Sequence, residues 1–315
     1  MQELVSIVVI NYKNIVLTQQ FLDDLKNQNY LNLQIIVVDN ESENDIEHLL
    51  NFHSFQSDYI RSTSNLGFAG GNNLGITLAK GKYIFFINND VELASDAISN
   101  LVLTFENNKS IGLISPKIKF YHHKDLIQYA GFKYINPLTG RNQAIGSMQI
   151  DNGQFDKKSI TAYAHGAAMM IRKNILPSVG IMPEIYFLYY EELEWSNKVR
   201  IAGFEVLYEP SSVVWHKQSL SIGKDNPLKM FYLTRNRILF MYRNYSKIQF
   251  YFFILFYFIL AIPKDTVKII LNRNFKLLKI YYEAVHQAFR IIINYSSNRS
   301  KLNEYGTNRR AEAKL

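Results

Sequence analysis

The 315-residue chain has no cysteine and only 7 prolines, 15 glycines and 2 tryptophans. Without cysteine there is no disulfide scaffold, no thiolate nucleophile, no Cys-ligated zinc and no iron–sulfur cluster. So little glycine and proline, in a chain that is 48% hydrophobic, excludes a collagen-like repeat and a disordered chain. Long apolar runs are also missing. The longest, residues 250–262, has thirteen residues, short of the roughly 20 that span a bilayer. The N-terminus lacks a basic leader: it carries Glu3, and its short apolar stretch passes directly into polar Asn11. It reads as a first strand and not as a signal peptide, which predicts a cytoplasmic protein. What remains is enough chain to bury a large core in one or two domains, with 21 Tyr and 21 Phe to supply any aromatic surface.

Charge is unevenly placed. Residues 1–216 carry 17 basic and 22 acidic side chains, whereas residues 217–315 carry 18 basic and 5 acidic. A mildly acidic body with a strongly basic C-terminal third predicts an anionic partner for that third. The basic residues are interleaved with apolar runs and match no nucleic-acid module, so an anionic membrane surface is favoured over nucleic acid. After Pro263, cations alternate with Val267, Ile270, Leu271, Leu277, Leu278, Tyr281, Tyr282 and Val285, as in a helix lying in the headgroup plane. A core helix, or a surface that joins two copies of the chain, fits the same pattern. Residues from Ser300 onward read as a frayed polar tail.

The first two thirds alternate between strand-like and helix-like segments. VSIVVI (5–10), LQIIVVDN (33–40) and KYIFFINND (82–90) are runs suited to strands buried on both faces, and residues 59–65 predict a shorter one. Helical spacing covers 16–28, 72–80 and 95–107, the last with Ser95 as its expected N-cap. The order predicts an α/β fold with a mostly parallel sheet. Ligands of such sheets bind beyond the strands' carboxyl ends, where Asp39 and Asp90 fall.

Taken singly, the motifs admit two readings each. Asp39 either meets a ligand or caps the following helix. In SNLGFAGGNN (64–73), Gly67, Gly70 and Gly71 allow close backbone approach and Asn65 offers hydrogen bonds, but neither the dinucleotide nor the P-loop pattern is present. Asn88-Asn89-Asp90 places oxygen ligands on a turn, as Mg2+ or Mn2+ shared with substrate phosphates requires, although such turns are common. Glu191, Glu192 and Glu194 sit among aromatic residues, which suits a general base of raised pKa and equally suits a helix N-terminus. A lone histidine such as His216 is more often a core or capping residue. Arg235 is one of several cations able to grip a phosphate.

In order along Val5–Asn244, VSIVVINYKN, VVDNES, NLGFAGGNN, FINNDVEL, HGAAMMIRK, FLYYEELEW, VVWH and YLTRNR resemble the inverting nucleotide-sugar glycosyltransferases of family 2, of GT-A fold. The NLGFAGGNN form is most similar to the rhamnosyltransferase branch and next to galactofuranosyl transferases. The resemblance implies a Rossmann-like domain over residues 1–244, a membrane-associating helical extension over 245–299 and a tail over 300–315. It implies that Asn11, Tyr12, Asp39, Asn65, Gly67, Gly70, Gly71, Asn89 and Arg235 form the donor site. Asp90 and His216 would hold the metal, and Glu192 would be the catalytic base, with Glu191, Trp195 and His165 on the acceptor side. Asn88 departs from the family, where many members have Asp, and Glu192 stands where Asp is frequent. The implied donor is dTDP-rhamnose or a UDP-sugar. The implied acceptor is a lipid-linked glycan at the inner face of the membrane. A nucleotidyltransferase lacks its basic, glycine-rich first turn here. A silent glycan-binding scaffold conflicts with intact Asp39, Asp90 and Glu192.

Overall fold

The computed structural model describes residues 2–42, 46–52, 55–217 and 226–312, with side chains at 51–52 and from 295 onward left out. The chain divides into two compact units, one of Met1–Ile135 with Asn142–Gly223, the other of Asn136–Arg141 with Lys224–Leu315. The boundary thus falls before residues 227–244, which the sequence pattern had joined to the first domain.

In the first unit the elements run β1 (Val5–Asn11), α1 (Ile15–Asp24), β2 (Leu33–Asn40), β3 (Gln56–Ser62), α2 (Gly67–Leu78), β4 (Tyr83–Asn88), β5 (Val91–Leu93), α3 (Ala97–Asn107), β6 (Ile111–Phe120), β7 (His123–Tyr129), β8 (Ser159–Ile160), β9 (Ala168–Arg172), α4 (Leu176–Val179), α5 (Glu191–Ile201) and β10 (Glu205–His216). One sheet has the order β3-β2-β1-β4-β9-β6-β10-β5, with β7 beside β6 and β8 beside β10. Strands β3, β2, β1 and β4 are parallel. Beyond them the sheet is mixed, because β9 inserts antiparallel between β4 and β6.

Both faces are covered, which is why β1, β2 and β4 are mostly apolar, with Ser6 and Gln34 buried and hydrogen-bonded to each other. Val5, Ile7 and Val9 of β1 pack with Phe21 and Leu22 of α1 and Leu101 and Phe105 of α3. Val8, with Ile36 and Val38 of β2, packs with Ala69 of α2 and Trp195 and Val199 of α5. Full burial of each such side chain contributes about 1.5–3 kcal/mol.

The glycine-rich segment is part of α2, which begins at Gly67, ahead of the helical spacing expected over 72–80. Gly71 and Gly75 lie on the face of α2 that meets the sheet, where an added Cβ would stand 2.8 Å from Ile10 Cδ1 and 2.4 Å from Val8 Cγ1. The absent side chains let the helix approach β1. Edge strand β3 is half polar and sits three residues earlier than expected. Helix α3 has Asp96, not Ser95, at its N-cap, with no side-chain capping bond.

The second unit is helical: α6 (Pro227–Asn244), α7 (Lys247–Phe256), a π-helical turn (Tyr257–Ala261), α8 (Ile262–Leu271) and α9 (Phe275–Glu312). Asn226 and Ser246 cap α6 and α7 by accepting from backbone N–H groups of their first turns. Pro263, which has no N–H to give the carbonyl four residues back, follows directly on the π turn. The backbone stays helical through Glu312, so the expected fraying from Ser300 is not found there. No described helix is long and apolar enough to cross a membrane.

Gly75→Ala should lower stability by about 1–2 kcal/mol, since overpacking against Val8 outweighs the helix-propensity gain. Urea denaturation followed by circular dichroism measures it.

Candidate active site

Register brings the strand ends level. Asn11 pairs with Asp39 across β1 and β2, and Ile10 with Asn88 across β1 and β4. Asn11 is fully buried; its amide donates to Ser42 Oγ at 2.6 Å and its carbonyl accepts from Thr18 at 2.7 Å. Asn89 donates to the same threonine at 2.9 Å, so Asn89, Thr18, Asn11 and Ser42 form one chain of bonds. Tyr12, at the mouth, is exposed.

Asp39 is buried and its carboxylate is engaged. It accepts from the Ser42 N–H at 3.1 Å and the Tyr59 hydroxyl at 3.1 Å, and Arg61 Nε lies 3.5 Å away. Its neighbour Asn40 accepts from the Leu66 N–H and donates to Asn65 Oδ1 and Gly67 O. Asn65 in turn accepts from the Gly67 N–H at 2.9 Å. Thr18, Asn40, Ser42, Tyr59 and Arg61 escaped the sequence reading. Only the pairing of β2 with β3, which sets Asp39 beside Arg61, reveals that group.

Gly67 has φ +70°, and an added Cβ would lie 2.2 Å from the Phe187 carbonyl oxygen. The next N–H, of Phe68, donates to that oxygen at 2.7 Å. Phe187, Tyr189 and Tyr190 all have positive φ, a strained conformation for side-chain-bearing residues. This strained stretch leads straight into α5 and presents its acids.

Those three acids differ in surroundings. Glu194 is buried and accepts from the Tyr186 hydroxyl at 2.6 Å. Glu191 is 2% exposed, and burial together with the adjacent Glu192 holds its carboxyl well above the usual range. Glu192 is half-buried, with burial pushing its carboxyl up to about 7. Oε2 of both Glu191 and Glu192 lacks a hydrogen-bond donor among the described residues. Across from Glu192 stands Gly166: a Cβ there would come 3.9 Å from the carboxyl carbon and 3.6 Å from the Phe68 ring. The small residue keeps that side of the carboxyl open.

Beside β4, the turn at Asp90 is tied to β10. Val91 pairs with His216, and the Lys217 N–H donates to the Asp90 carbonyl at 2.8 Å. Asp90 Oδ1 lies 3.2 Å from His216 Nε2 and has no other hydrogen-bond donor among the described residues. Burial raises the Asp90 carboxyl, but the imidazole beside it outweighs burial and leaves it below its usual range. His216 Nδ1 lies 3.0 Å from Gln128 Oε1; with the proton on Nδ1 the ring can offer Nε2 to a metal ion, and with Nε2 protonated it pairs directly with Asp90. Asp90 Oδ1 and His216 Nε2 stand side by side as a carboxylate oxygen and an imidazole nitrogen able to share a proton or a metal ion. Among the described residues no group of three His, Asp or Glu side chains could hold a metal. The pair therefore fits a divalent ion that takes its other ligands from phosphates and water.

His165 is half-buried, stacks on Phe132 at 5.8 Å and lies 6.4 Å from the His216 ring. It accepts the Ala167 N–H at Nδ1, and burial, then His216, pulls its pKa down to about 3, so it stays neutral. Trp195 does not face an acceptor: it is fully buried, edge-on to Phe86, with its N–H given to the Gly180 carbonyl. Gly70 is filled by Leu66 rather than by ligand space. Arg235 belongs to the second unit, where it donates to Asn236 Oδ1 and Gln287 Oε1 and stands over the Tyr232 ring.

A sheet that ends its parallel strands on carboxylates, backed by helices on both faces, has the architecture of the GT-A glycosyltransferases. The chain belongs to the family described as Glycosyl transferase family 2, whose profile matches residues 6–180. A low-salt glycan biosynthesis hexosyltransferase of Haloferax volcanii is 27% identical over 206 residues, 62% of this chain. The match spans 61% of that relative's length. An N-acetylglucosaminyl-diphospho-decaprenol L-rhamnosyltransferase of Mycobacterium tuberculosis is 32% identical over 60 residues, 19% of this chain and 20% of its own. Among solved structures, a mannosyltransferase of Pyrobaculum calidifontis in complex with GDP-Man and Mn2+ superposes with TM-score 0.56. It is 14% identical, over 93% of this chain and 79% of that one.

A carboxyl raised from 4.5 to about 7 makes the fold hold its proton more tightly than the unfolded chain does. Stability therefore falls as pH rises through that window. Glu192→Gln should be more stable than the wild type at pH 8, by on the order of 1–3 kcal/mol, with the gain vanishing near pH 4.5. Thermal melts at the two pH values read it.

Proposed function

We propose that the chain is an inverting glycosyltransferase that moves a sugar from a nucleoside diphosphate to a hydroxyl of a lipid-linked glycan in a single displacement. The observation that carries this reading is Glu192. Of the three acids it alone is neither sealed in the core nor already bonded, and its pKa lies near neutrality. Its carboxylate takes the proton from the acceptor hydroxyl as that oxygen bonds the anomeric carbon. The bond from that carbon to the diphosphate breaks, and the nucleoside diphosphate leaves with the electron pair. Asp90 and His216 would hold Mg2+ or Mn2+, which when bound neutralises charge on the leaving diphosphate. The Mn2+ of the mannosyltransferase structure supports that assignment. The Asn11–Asp39–Asn65 rim and exposed Tyr12 would receive the nucleotide. Arg235 stays a candidate for the diphosphate.

The rhamnosyl relative supports rhamnose and a polyprenyl-linked acceptor, while the hexosyl relative supports a hexose on wider overlap. A basic second unit with an exposed apolar surface supports a peripheral place on an anionic membrane, at the cytoplasmic face.

Nucleoside diphosphate release from dTDP-rhamnose, UDP-glucose, UDP-galactose and UDP-galactofuranose, with a polyprenyl-diphosphate acceptor and with or without Mn2+, tests the reading. Glu192→Gln should bind donor normally and lose about 100- to 10,000-fold in turnover. Wild-type turnover should rise with pH through an inflection near 7, as the base ionises. Asp90→Ala should abolish the metal-dependent part; undiminished release in that variant would remove Asp90 from the metal site.

A further inference from the structure

Helix α7 and the π turn carry Tyr251, Phe252, Leu255, Phe258, Ile259 and Leu260, all exposed, at spacings that put them on one side of the helix. A contiguous exposed surface of this kind is unusual on a protein that meets only water. Its edge holds a cavity of about 140 Å3 walled by apolar Phe256, Leu260 and Ala261 and by three cations, Arg141, Arg237 and Lys264. One acid, Asp265, shares the wall and receives the Tyr281 hydroxyl at 3.5 Å.

The cations divide into one that builds the cavity and two that are available to it. Arg237 is buried, donates from Nε to the Thr139 carbonyl at 2.8 Å and stands over the Phe253 and Tyr257 rings. Gly140, at φ +62°, has no room for a side chain: an added Cβ would lie 2.7 Å from Phe253 Cε2 and 3.2 Å from Arg237 Nε. That close fit holds the Asn136–Arg141 turn against α6 and α7 and sets Arg141 at the rim. Arg141 and Lys264 are exposed, and neither has an ion-pair partner among the described residues. The surrounding field has the same sign: residues 226–294 hold eleven Lys and Arg against two acids, Asp265 and Glu283.

We infer that this cavity binds the phosphate of an anionic bilayer phospholipid, with the α7 surface seated among the acyl chains beside it. The inference rests on the membrane reading proposed above and adds a discrete site to it. Leu260 lines the cavity and is also part of the exposed apolar surface, so a phosphate in the cavity sits at the boundary where a phospholipid changes from head to tail. The volume suits one phosphate and is well below the roughly 300–1,000 Å3 of pockets for larger ligands, which disfavours a diphosphate-linked sugar there.

The full chain is sedimented with vesicles of phosphatidylcholine alone, with phosphatidylglycerol added, or with a polyprenyl phosphate added. Arg141→Gln/Lys264→Gln is compared with Lys276→Gln/Lys279→Gln, which removes the same charge from exposed positions that do not line the cavity. The wild type should prefer phosphatidylglycerol vesicles. The cavity variant should lose about 30-fold or more in partitioning, the magnitude expected for two engaged cations, and the control less than about fivefold. Equal losses would reduce the effect to diffuse attraction and overturn the site. Selective binding to polyprenyl phosphate would assign it to the acceptor carrier instead. Displacement by inorganic phosphate at constant ionic strength would mean a soluble ligand, again against the proposal. A wild type that binds no vesicle would refute the membrane reading itself.

Discussion

The hydrogen bond from the Phe68 N–H to the Phe187 carbonyl joins two segments that are far apart in the chain and chemically unlike. One begins the helix against β1 whose first turn meets Asn40 and Asn65; the other is the left-handed stretch that opens onto Glu191 and Glu192. Position 67 can hold nothing larger than hydrogen, because any side chain would collide with the carbonyl that accepts this bond. The segments that carry Asn65 and Glu192, the proposed donor rim and base, are therefore fixed with respect to each other by backbone, which is stiffer than any side-chain bridge. The strain at Phe187, Tyr189 and Tyr190 persists because α2 on one side and α5 on the other over-determine it.

Within that frame, two carboxylates are driven in opposite directions by their surroundings. Asp90 is partly buried but has an imidazole beside it, and it stays ionised. Glu192 is desolvated beside a second acid, with no cation offered to it, and it holds its proton to near neutrality. Separation of pKa values is how one site keeps a permanent anion for charge binding and a titrating one for proton transfer. His165 adds a ring that stays uncharged, so it contributes shape and a hydrogen bond without perturbing either acid's charge.

The fold was most legible where one requirement decided the residue type. The strands at 5–11 and 33–40 are buried on both faces, so their runs of Val and Ile are nearly unbroken and their limits are plain. Residues 56–62 form an edge strand with half-polar faces, and no periodicity marks it. Gly71 and Gly75 serve helix approach: the space of their absent side chains is taken by Ile10 and Val8, partners that only the folded sheet supplies. In the site, the position of Asp39 and Asp90 at strand ends was legible, whereas the roles of Glu192 and His216 rest on the family resemblance. The partners Arg61, Tyr59 and Gln128 were not legible, since each lies tens of residues away and carries no local signal. Trp195, which the resemblance places on the acceptor side, is in the core, because aromatic character alone does not distinguish a platform from a core.

Asp90 and His216 also bear on the order of events at such a site. Two protein ligands would fill a third of an octahedral shell, so a divalent ion bound there would depend on the diphosphate for much of its remaining affinity. Cation and nucleotide would then be thermodynamically linked: each strengthens the other by the same factor. A pyrophosphate-bearing donor would assemble the ion with itself, and loss of the nucleotide product would loosen the ion in turn.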